Sequence, residues 1–377
     1  MTMTMTMTTS TSHSTTPLAL EYKPDADKVV ERMAAWWEGE IIDRATILLT
    51  APRPDAQPWP SKTHATLRER WMDIDYQVAC AAIHAANTYW AGESLPIYMP
   101  NLGPEILTAC YGAELNFTED SSWSEPILRN WADIPKLRID PNNEYLRCLL
   151  DMTRRALEVG RGKFLVGVTD IHAGGDLAAS LRDPQQLCID LVESPEQVHA
   201  LMHHIYPAFF DFFKLNHQVI RDAGQTICTS WTHLFVDGGR YYIPSNDFSI
   251  MISTEMFEEF FLPELLAEIA WLDRSIYHLD GPGALRHLDM LLDIPKLDAI
   301  QFVYGDGAKP ASRWMHVFQK IQNAGKNAHI VVEAHEIDHF MANLNPEGIM
   351  LQTSAASVEE ADAIIARIAR WTRKGKF

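Results

Sequence analysis

The stretch "SIYHLDGPGALRHLDMLLDIPKLDAIQFVY", residues 275–304, contains one full alternation of two hydrophobic patterns. Residues 275–280 form a short apolar run that stops at the Gly-Pro-Gly of 281–283. Leucines then recur at helical spacing over 285–292, and a second apolar run fills 298–304. Short bounded runs predict strands, and the longer periodic segment predicts a helix. The stretch therefore predicts a strand–helix–strand unit with parallel strands.

The same alternation recurs along most of the chain. Strand-like runs occupy 96–100, 163–170, 226–231, 248–253, 275–280, 298–304, 328–334 and 348–354. Helical patterns follow most of these runs, and no Gly-rich dinucleotide fingerprint follows the first one, which argues against a Rossmann fold. Eight such units fit an α/β fold of the (β/α)8 TIM-barrel type. We predict this barrel over residues 93–377.

The region before residue 93 has a different character. Residues 17–92 contain two helical patterns separated by the Pro-rich stretch "APRPDAQPWP". They predict an N-terminal helical extension that packs on the barrel. Residues 1–16 are a low-complexity sequence of Thr, Ser and Met, and we predict that they form a disordered tail.

Composition excludes several classes of function. The chain has 377 residues and a formal net charge of −18, which repels nucleic-acid phosphates and anionic lipid surfaces. No apolar run reaches the length that spans a bilayer. The five cysteines include no CxxC pair, so we expect reduced thiols in a cytoplasmic protein and no disulfide framework. The remaining expectation is a soluble protein that acts on a small molecule.

Three of the predicted strands end in a carboxylate and an imidazole that are two residues apart. The pairs are Asp170 with His172, His278 with Asp280, and Glu333 with His335. Residues i and i+2 of a strand face the same side, and the carboxyl ends of barrel strands surround the active site. A single pair can be only a hydrogen-bonded fixture of a loop, whereas three pairs around one cavity favour acid/base or metal chemistry. We predict His278, Asp280, Glu333, Asp170 and His172 as catalytic residues.

The tripeptide His-Leu-Asp occurs a second time, at residues 287–289. This copy lies inside the helical pattern, where His287 and Asp289 are about 200° apart around the helix axis. The two side chains then cannot reach one ligand, and we predict no site there.

Further polar and aromatic residues near predicted strand ends are candidates for substrate contact. They are Asn101, Trp231, His233, Tyr242, Asp247, Gln301 and Tyr304. Aromatic side chains in such positions suit a flat or sugar-like ligand. Plain packing beneath the loops explains the aromatic members equally well.

Three segments resemble the uroporphyrinogen decarboxylase superfamily. They are "SNDFSIMISTEMFEEFFLPEL" (245–265), "SIYHLDGPG" (275–283) and "TSAASVEEADAII" (353–365). The resemblance extends over roughly residues 95–377 and implies a (β/α)8 barrel. It also implies a lyase or a methyltransferase, since the superfamily includes the haem-pathway decarboxylase and zinc-dependent corrinoid methyltransferases. Many members dimerise, so the resemblance implies a homodimer as well.

The departures from this family are specific. The Arg-rich substrate loop of the decarboxylase is missing, and Asn101 stands where the resemblance would place its catalytic Asp. His278 matches the His of the methyltransferase zinc motif His-x-Cys, but Asp280 replaces the Cys, and no cysteine follows Cys228. The resemblance therefore implies a nitrogen and oxygen site for Zn²⁺ or another divalent metal, with His278, Asp280, Glu333 and His335 as ligands.

These observations predict an enzyme that acts on a small polar substrate and not on porphyrinogens. The reaction would be a metal-assisted methyl transfer or a decarboxylation, and a corrinoid would take part only through a partner protein. Two alternatives stay open. One is a glycoside-type hydrolase, which requires two carboxyl groups about 5–10 Å apart. The other is a non-catalytic binding protein, in which neighbouring backbone groups satisfy the strand-end acids.

Overall fold

The computed structural model describes residues 18–305 and 309–374, so the predicted tail of residues 1–16 lies outside the described part. The strands are β1 (Thr46–Pro52), β2 (Thr88–Gly92), β3 (Ile97–Tyr98), β4 (Leu115–Phe117), β5 (Ser122–Ser124), β6 (Leu165–Val166), β7 (Ile227–Thr229), β8 (Phe235–Asp237), β9 (Tyr241–Tyr242), β10 (Arg274–Asp280), β11 (Ala299–Val303), β12 (Asn327–Val331) and β13 (Ile349–Ser354).

The α-helices are α1 (Ala26–Trp37), α2 (Leu67–Met72), α3 (Ile74–Asn87), α4 (Ile106–Cys110), α5 (Glu144–Val159), α6 (Gly174–Arg182), α7 (Pro184–Glu193), α8 (Pro195–Ile205), α9 (Ala208–Asp222), α10 (Thr254–Phe260), α11 (Leu262–Trp271), α12 (Gly281–Ala284), α13 (Leu288–Leu292), α14 (Met315–Asn323), α15 (Ile337–Asn343) and α16 (Val358–Lys374). Short 3-10 helices lie at Trp131–Lys136, Asp247–Met251, Leu285–His287, Ala311–Trp314 and Ala334–Glu336.

The fold is mixed α/β around a mostly parallel central sheet. Its hydrogen-bonded order is β2-β1-β13-β12-β11-β10-β9, in which only β2 runs antiparallel to its neighbour. The parallel pair β3–β6 and the antiparallel pairs β4–β5 and β7–β8 form separate two-stranded sheets. Since β2 and β9 end the central sheet without pairing to each other, a closed eight-stranded barrel is not shown.

The N-terminal region contributes to this central sheet, which corrects the prediction that it is a helical extension. Strand β1 pairs in parallel with β13, so the two ends of the chain meet in one sheet. Buried Glu93, which follows β2, holds the start of β1, because its carboxylate accepts hydrogen bonds from Arg44 at 2.7 and 2.9 Å and from the Ile47 N–H at 2.7 Å. The run "TILLTAP" is buried at five of its seven positions, as is typical of a strand that is covered on both faces.

The predicted strand at 248–253 is also wrong, since Asp247–Met251 is a 3-10 helix. The carboxylate of Asp176 accepts the backbone N–H groups of Asp247 and Phe248 at 3.1 and 2.8 Å and so caps this turn. The strand that belongs here lies earlier, at β9 and at Ser245, which bridges to His278. A tertiary contact from α6 thus overrides a local β-like pattern.

The core runs through the central sheet and the helices against it, with Tyr241, Tyr277 and Phe302 among its fully buried side chains. In the described part of the chain, no helix combines the length and the apolar character that crossing a membrane requires.

Candidate functional site

Acidic and imidazole side chains from four segments of the chain meet at the carboxyl end of β10. His278 and Asp280 end that strand, and Asp247 begins the neighbouring 3-10 helix. His172 lies in the loop after β6, and Asp176 lies in the first turn of α6. The carboxyl end of a parallel strand is the usual place for a binding site in α/β folds.

The side chains form two groups of potential metal ligands that share one residue. The first group is Asp247, His278 and Asp280, and the second is His172, Asp176 and Asp247. Within each group the ligand atoms all lie within 4.8 Å of one another. Asp247 therefore stands between two sets of donors.

His278 is held by a chain of hydrogen bonds that crosses the sheet from β10 to β13. Its Nδ1–H donates to Gln301 Oε1 at 2.6 Å, and the Gln301 amide donates to His329 Nδ1 at 3.0 Å. The Nε2–H of His329 donates to Gln352 Oε1 at 2.7 Å. With Gln301 oriented in this way, Nδ1 of His278 keeps its proton and Nε2 has a free lone pair. The edge of Trp231 meets the same imidazole, with 5.0 Å between ring centroids.

The middle of this chain is uncharged. His329 is completely buried, and burial lowers its pKa to about 4 despite the hydrogen bond to Gln352. A neutral imidazole donates from one nitrogen and accepts at the other, which is what the two amide neighbours require. The chain thus fixes the tautomer of His278.

His172 lies between two carboxylates. Its Nε2 is 3.2 Å from Asp170 Oδ2, and its Nδ1 is 3.5 Å from Asp176 Oδ2. Burial opposes a charge on this ring, but Asp170 and Asp176 outweigh it and raise the pKa of His172 well above its ordinary value. In the absence of a cation, His172 is therefore an imidazolium at neutral pH.

Asp247 is the least satisfied member of the site. Burial raises its pKa to about 6, and the nearby Asp176 carboxylate adds to the rise, while His172 and His278 oppose it. Its Oδ1 is buried and has no hydrogen-bond partner. A buried polar atom without a partner is costly and is often explained by an ion, a water or a catalytic role.

Glu333 and His335 do not join the site, contrary to the prediction. Strand β12 ends at Val331, and the following turn removes both residues from the alternating direction of the strand. Glu333 instead caps the 3-10 helix Ala334–Glu336 and forms an ion pair with Lys309 at 3.0 Å. Neither residue belongs to either ligand group of the described chain.

The predicted substrate contacts divide into two sets. Trp231, Asp247 and Gln301 lie in or beside the site, as described above. The hydroxyls of Tyr242 and Tyr304 are bonded to backbone groups, to the Ile171 N–H and the Val331 C=O respectively. Asn101 accepts the Gly103 N–H at 2.9 Å through its own side chain.

Three residues of the arrangement received no role from the sequence. Asp176 follows His172 by four residues in "HAGGD" and lies in the first turn of α6, where its carboxylate is 3.5 Å from the His172 ring in the preceding loop. His329 is a fully buried imidazole inside β12, and Gln352 directly follows the buried apolar residues 349–351 of β13. A polar residue at such a position can be recognised in the sequence as a member of a hydrogen-bond network, because a buried polar side chain needs a hydrogen-bond partner.

Two cavities adjoin this region. One, of about 320 Å³, is bounded by His172, Asp176 and Asp247 on one side and by Phe248 and Met251 on another. The second, of about 510 Å³, lies at the carboxyl ends of β1 and β13, where Gln352 reaches its wall. Both volumes suit a small ligand.

The second cavity has an uncharged, aromatic lining. Trp59 stacks on His84, whose ring meets the edge of Trp90. His233 also lines it, with a positive φ of 60° that is strained for a residue other than Gly. Burial lowers the pKa of His233 to about 4, so this imidazole is neutral. Among the described residues that line this cavity, none is Asp, Glu, Lys or Arg.

Comparison with known proteins gives one informative result. No family model matches the sequence, and no curated protein matches it either. Among solved structures, the fold is similar to that of a methyltransferase from Methanosarcina mazei, with a TM-score of 0.55 and 11% sequence identity. The likeness covers 91% of this chain and 98% of that one. At this identity the likeness shows a similar fold and does not show a shared reaction.

Proposed function

We propose that the protein is an enzyme that transfers a small group, most simply a methyl group, at a divalent cation bound by His278, Asp247 and Asp280. The observation that supports this is the convergence of their ligand atoms within 4.8 Å at the end of β10. The fold likeness to a methyltransferase favours methyl transfer over the other reactions that a cation assists.

The side chains present fit a cation with nitrogen and oxygen ligands. Imidazole and carboxylate donors suit Zn²⁺ and Mn²⁺, and the unpartnered Oδ1 of Asp247 is a donor without another role. Neither ligand group contains any of the five cysteines, of which Cys228 is fully buried and bonded to the Tyr241 backbone. The site thus differs from a thiolate-rich zinc site. A bound divalent cation would supply Lewis-acid polarisation of an oxygen or sulfur atom.

The protein groups around this position have distinct tasks. Gln301 holds His278 so that Nε2 faces the ligand position, and Trp231 limits the rotation of that ring. Burial raises the pKa of Asp247 to about 6 in the metal-free site, so this carboxyl group is mostly ionised at neutral pH and can bind a cation. The geometry therefore combines an oriented imidazole with a carboxylate that has no other partner for its buried oxygen.

The uncharged cavity is the proposed site for the apolar part of the substrate. It lies at the far end of the hydrogen-bond chain that starts at His278, and the Gln352 amide nitrogen makes no bond within the described residues. A neutral lining in a chain of net charge −18 favours an uncharged, flat molecule with a polar edge. This supports the expectation of a small-molecule substrate.

The alternatives are less well supported by the same contacts. A glycosidase needs two carboxyl groups about 5–10 Å apart, and Asp247 and Asp280 are close together but share their ligand group with an imidazole, an arrangement that suits a cation. A binding protein should satisfy its acids with backbone groups, as Asp176 is satisfied, but Asp247 is not. Decarboxylation, superfamily membership, a closed barrel, a homodimer and a corrinoid-protein partner remain predictions of the sequence.

The test is a methyl-transfer assay on protein stripped of metal and then reloaded. Methylcobalamin serves as donor and 2-mercaptoethanol as acceptor, and loss of the cobalt–methyl bond is followed by absorbance. We expect turnover above the protein-free rate after loading with Zn²⁺ or Mn²⁺, and none after chelation. Cation binding without turnover would contradict methyl transfer from a corrinoid, and failure to bind any divalent cation would overturn the whole proposal.

A further inference from the structure

We propose that this centre holds two divalent cations, with the Asp247 carboxylate bridging them and with His172 and Asp176 as ligands of the second. This inference rests on the proposed function, because it extends the same site. In this proposal His172 and Asp176 bind the second cation, as His278 and Asp280 bind the first.

The shared residue is the first reason. Asp247 belongs to both groups, and every ligand atom of each group lies within 4.8 Å of the others in that group. A carboxylate has two oxygen atoms and can bind one cation through each. Two-metal centres in proteins place their ions about 3.5–4 Å apart, a separation that one bridging carboxylate can span.

The second reason is that each imidazole has a hydrogen-bond partner outside its ligand group. His278 donates to Gln301 at 2.6 Å, and His172 is 3.2 Å from Asp170. Metal-binding histidines usually donate their other N–H to such an acceptor, which fixes the ring and the tautomer. In both rings one nitrogen is engaged in this way, which leaves the other nitrogen for an ion; that of His172 lies 3.5 Å from Asp176 Oδ2.

The third reason is the fixed position of Asp176. Its two oxygens accept the N–H groups of Asp247 and Phe248 at 3.1 and 2.8 Å. These bonds tie the Asp176 carboxylate to the backbone that carries Asp247. The two carboxylates are therefore held side by side before any ion binds, although their charges repel each other.

The charges of the site also favour two divalent cations over one. Four carboxylates, Asp170, Asp176, Asp247 and Asp280, surround two imidazoles. Two divalent cations neutralise four carboxylates when both imidazoles are neutral. With a single cation, the site stays negative even if His172 keeps its proton. The cavity of about 320 Å³ beside His172 would admit an oxygen-donor ligand, such as a carboxylate, to the second ion.

The test is the stoichiometry of binding, measured with Mn²⁺ on the full chain by calorimetry and by electron paramagnetic resonance. We expect two ions per chain and a spin-coupled signal from neighbouring Mn²⁺ ions. His172→Ala should reduce the stoichiometry to one ion and abolish the coupling, while Asp247→Asn should weaken both sites by about ten-fold or more. His199→Ala is the matched control, since His199 also pairs with an acid (Glu259) but is exposed and outside both groups.

The outcomes separate the two proposals. One ion per chain, unchanged in His172→Ala, would overturn the second site and leave the proposed function standing. Two ions that survive His172→Ala without loss of coupling would place the second ion elsewhere and overturn the assignment. No Mn²⁺ or Zn²⁺ binding would overturn both proposals. Circular dichroism of His172→Ala and of the milder His172→Gln shows whether a loss comes from unfolding.

Discussion

The two copies of His-Leu-Asp, at 278–280 and 287–289, have the same sequence but lie in different secondary structures. The first ends strand β10, and its His and Asp reach the same ligand group. In the second, His287 is completely buried, stacks near Phe257 and bonds to the Ser249 carbonyl at 3.0 Å. Asp289 points outward instead and pairs with Lys320. Secondary structure, and not residue type, decides in which copy the His and Asp side chains come together.

The largest expected difference between the two copies comes from removing the imidazole of each in turn. His278→Ala should reduce cation affinity by more than about 100-fold, because loss of an outer-shell partner alone costs about 10–100-fold. His287→Ala should leave cation affinity unchanged but lower the free energy of unfolding by about 1–3 kcal/mol, because it empties a buried position. Metal titration and denaturant unfolding of both variants measure the two effects. If His287→Ala weakened the cation as much as His278→Ala, the comparison would fail.

The hydrogen-bond chain behind His278 distinguishes the first copy further. Gln301→Leu should weaken cation binding by about 10-fold or more, since it releases the His278 tautomer. Gln352→Leu, at the far end of the chain, should cause a smaller loss. The measurement is the Mn²⁺ dissociation constant of each variant. Equal and negligible losses would show that the chain does not position His278.

The aromatic cavity offers a smaller test of the substrate side. Trp59→Ala should weaken binding of a neutral ring such as benzamide by about 10-fold, because stacking against an aromatic side chain is lost. Trp123→Ala is the control, since Trp123 is similarly exposed (49% against 56%) and does not line the cavity. Benzoate should bind more weakly than benzamide, because no Lys or Arg lines the cavity in the described part of the chain. Ligand-observed NMR measures all three, and equal affinities for benzoate and benzamide would contradict the uncharged site.

Acid should affect the two copies in different ways. Cation affinity should fall below about pH 6, where Asp247 takes up a proton that competes with the metal. Burial lowers the pKa of His287 below 6.5, so the unfolded chain binds this proton more readily than the folded one. The His287 contribution to stability is therefore lost as the pH falls below about 6.5. His287→Gln should flatten that part of the stability profile without moving the pH dependence of cation binding.

Part of this organisation can be predicted from the sequence, because it follows local patterns. The four consecutive parallel strands β10 to β13 coincide with apolar runs between 275 and 354. His278, Asp280, Asp170 and His172 could be singled out because each follows such a run. For His278 and Asp280 the direction of the side chains follows from the strand that they end, whereas Asp170 and His172 lie in the loop after β6, which ends at Val166, and the predicted strand to residue 170 is wrong.

The rest depends on contacts between distant segments. The 3-10 helix at Asp247–Met251 exists where Asp176 caps it from another helix, and no local pattern shows that. Strand β1 is a strand because β13 pairs with it some 300 residues later. Glu333 leaves the site because its side chain caps the next turn. Whether the sheet closes also depends on which strands pair with each other. The order of strand and helix patterns along the sequence does not determine that pairing.

The central claim is that position at the end of β10 gives the first His-Leu-Asp copy its cation. The most direct test is calorimetric titration of Zn²⁺ or Mn²⁺ into Asp280→Asn and Asp289→Asn, which change the same letter of the same tripeptide. We predict that Asp280→Asn weakens binding by about ten-fold or more, and that Asp289→Asn binds as the unmodified chain does. Equal affinities in the two variants would contradict the account.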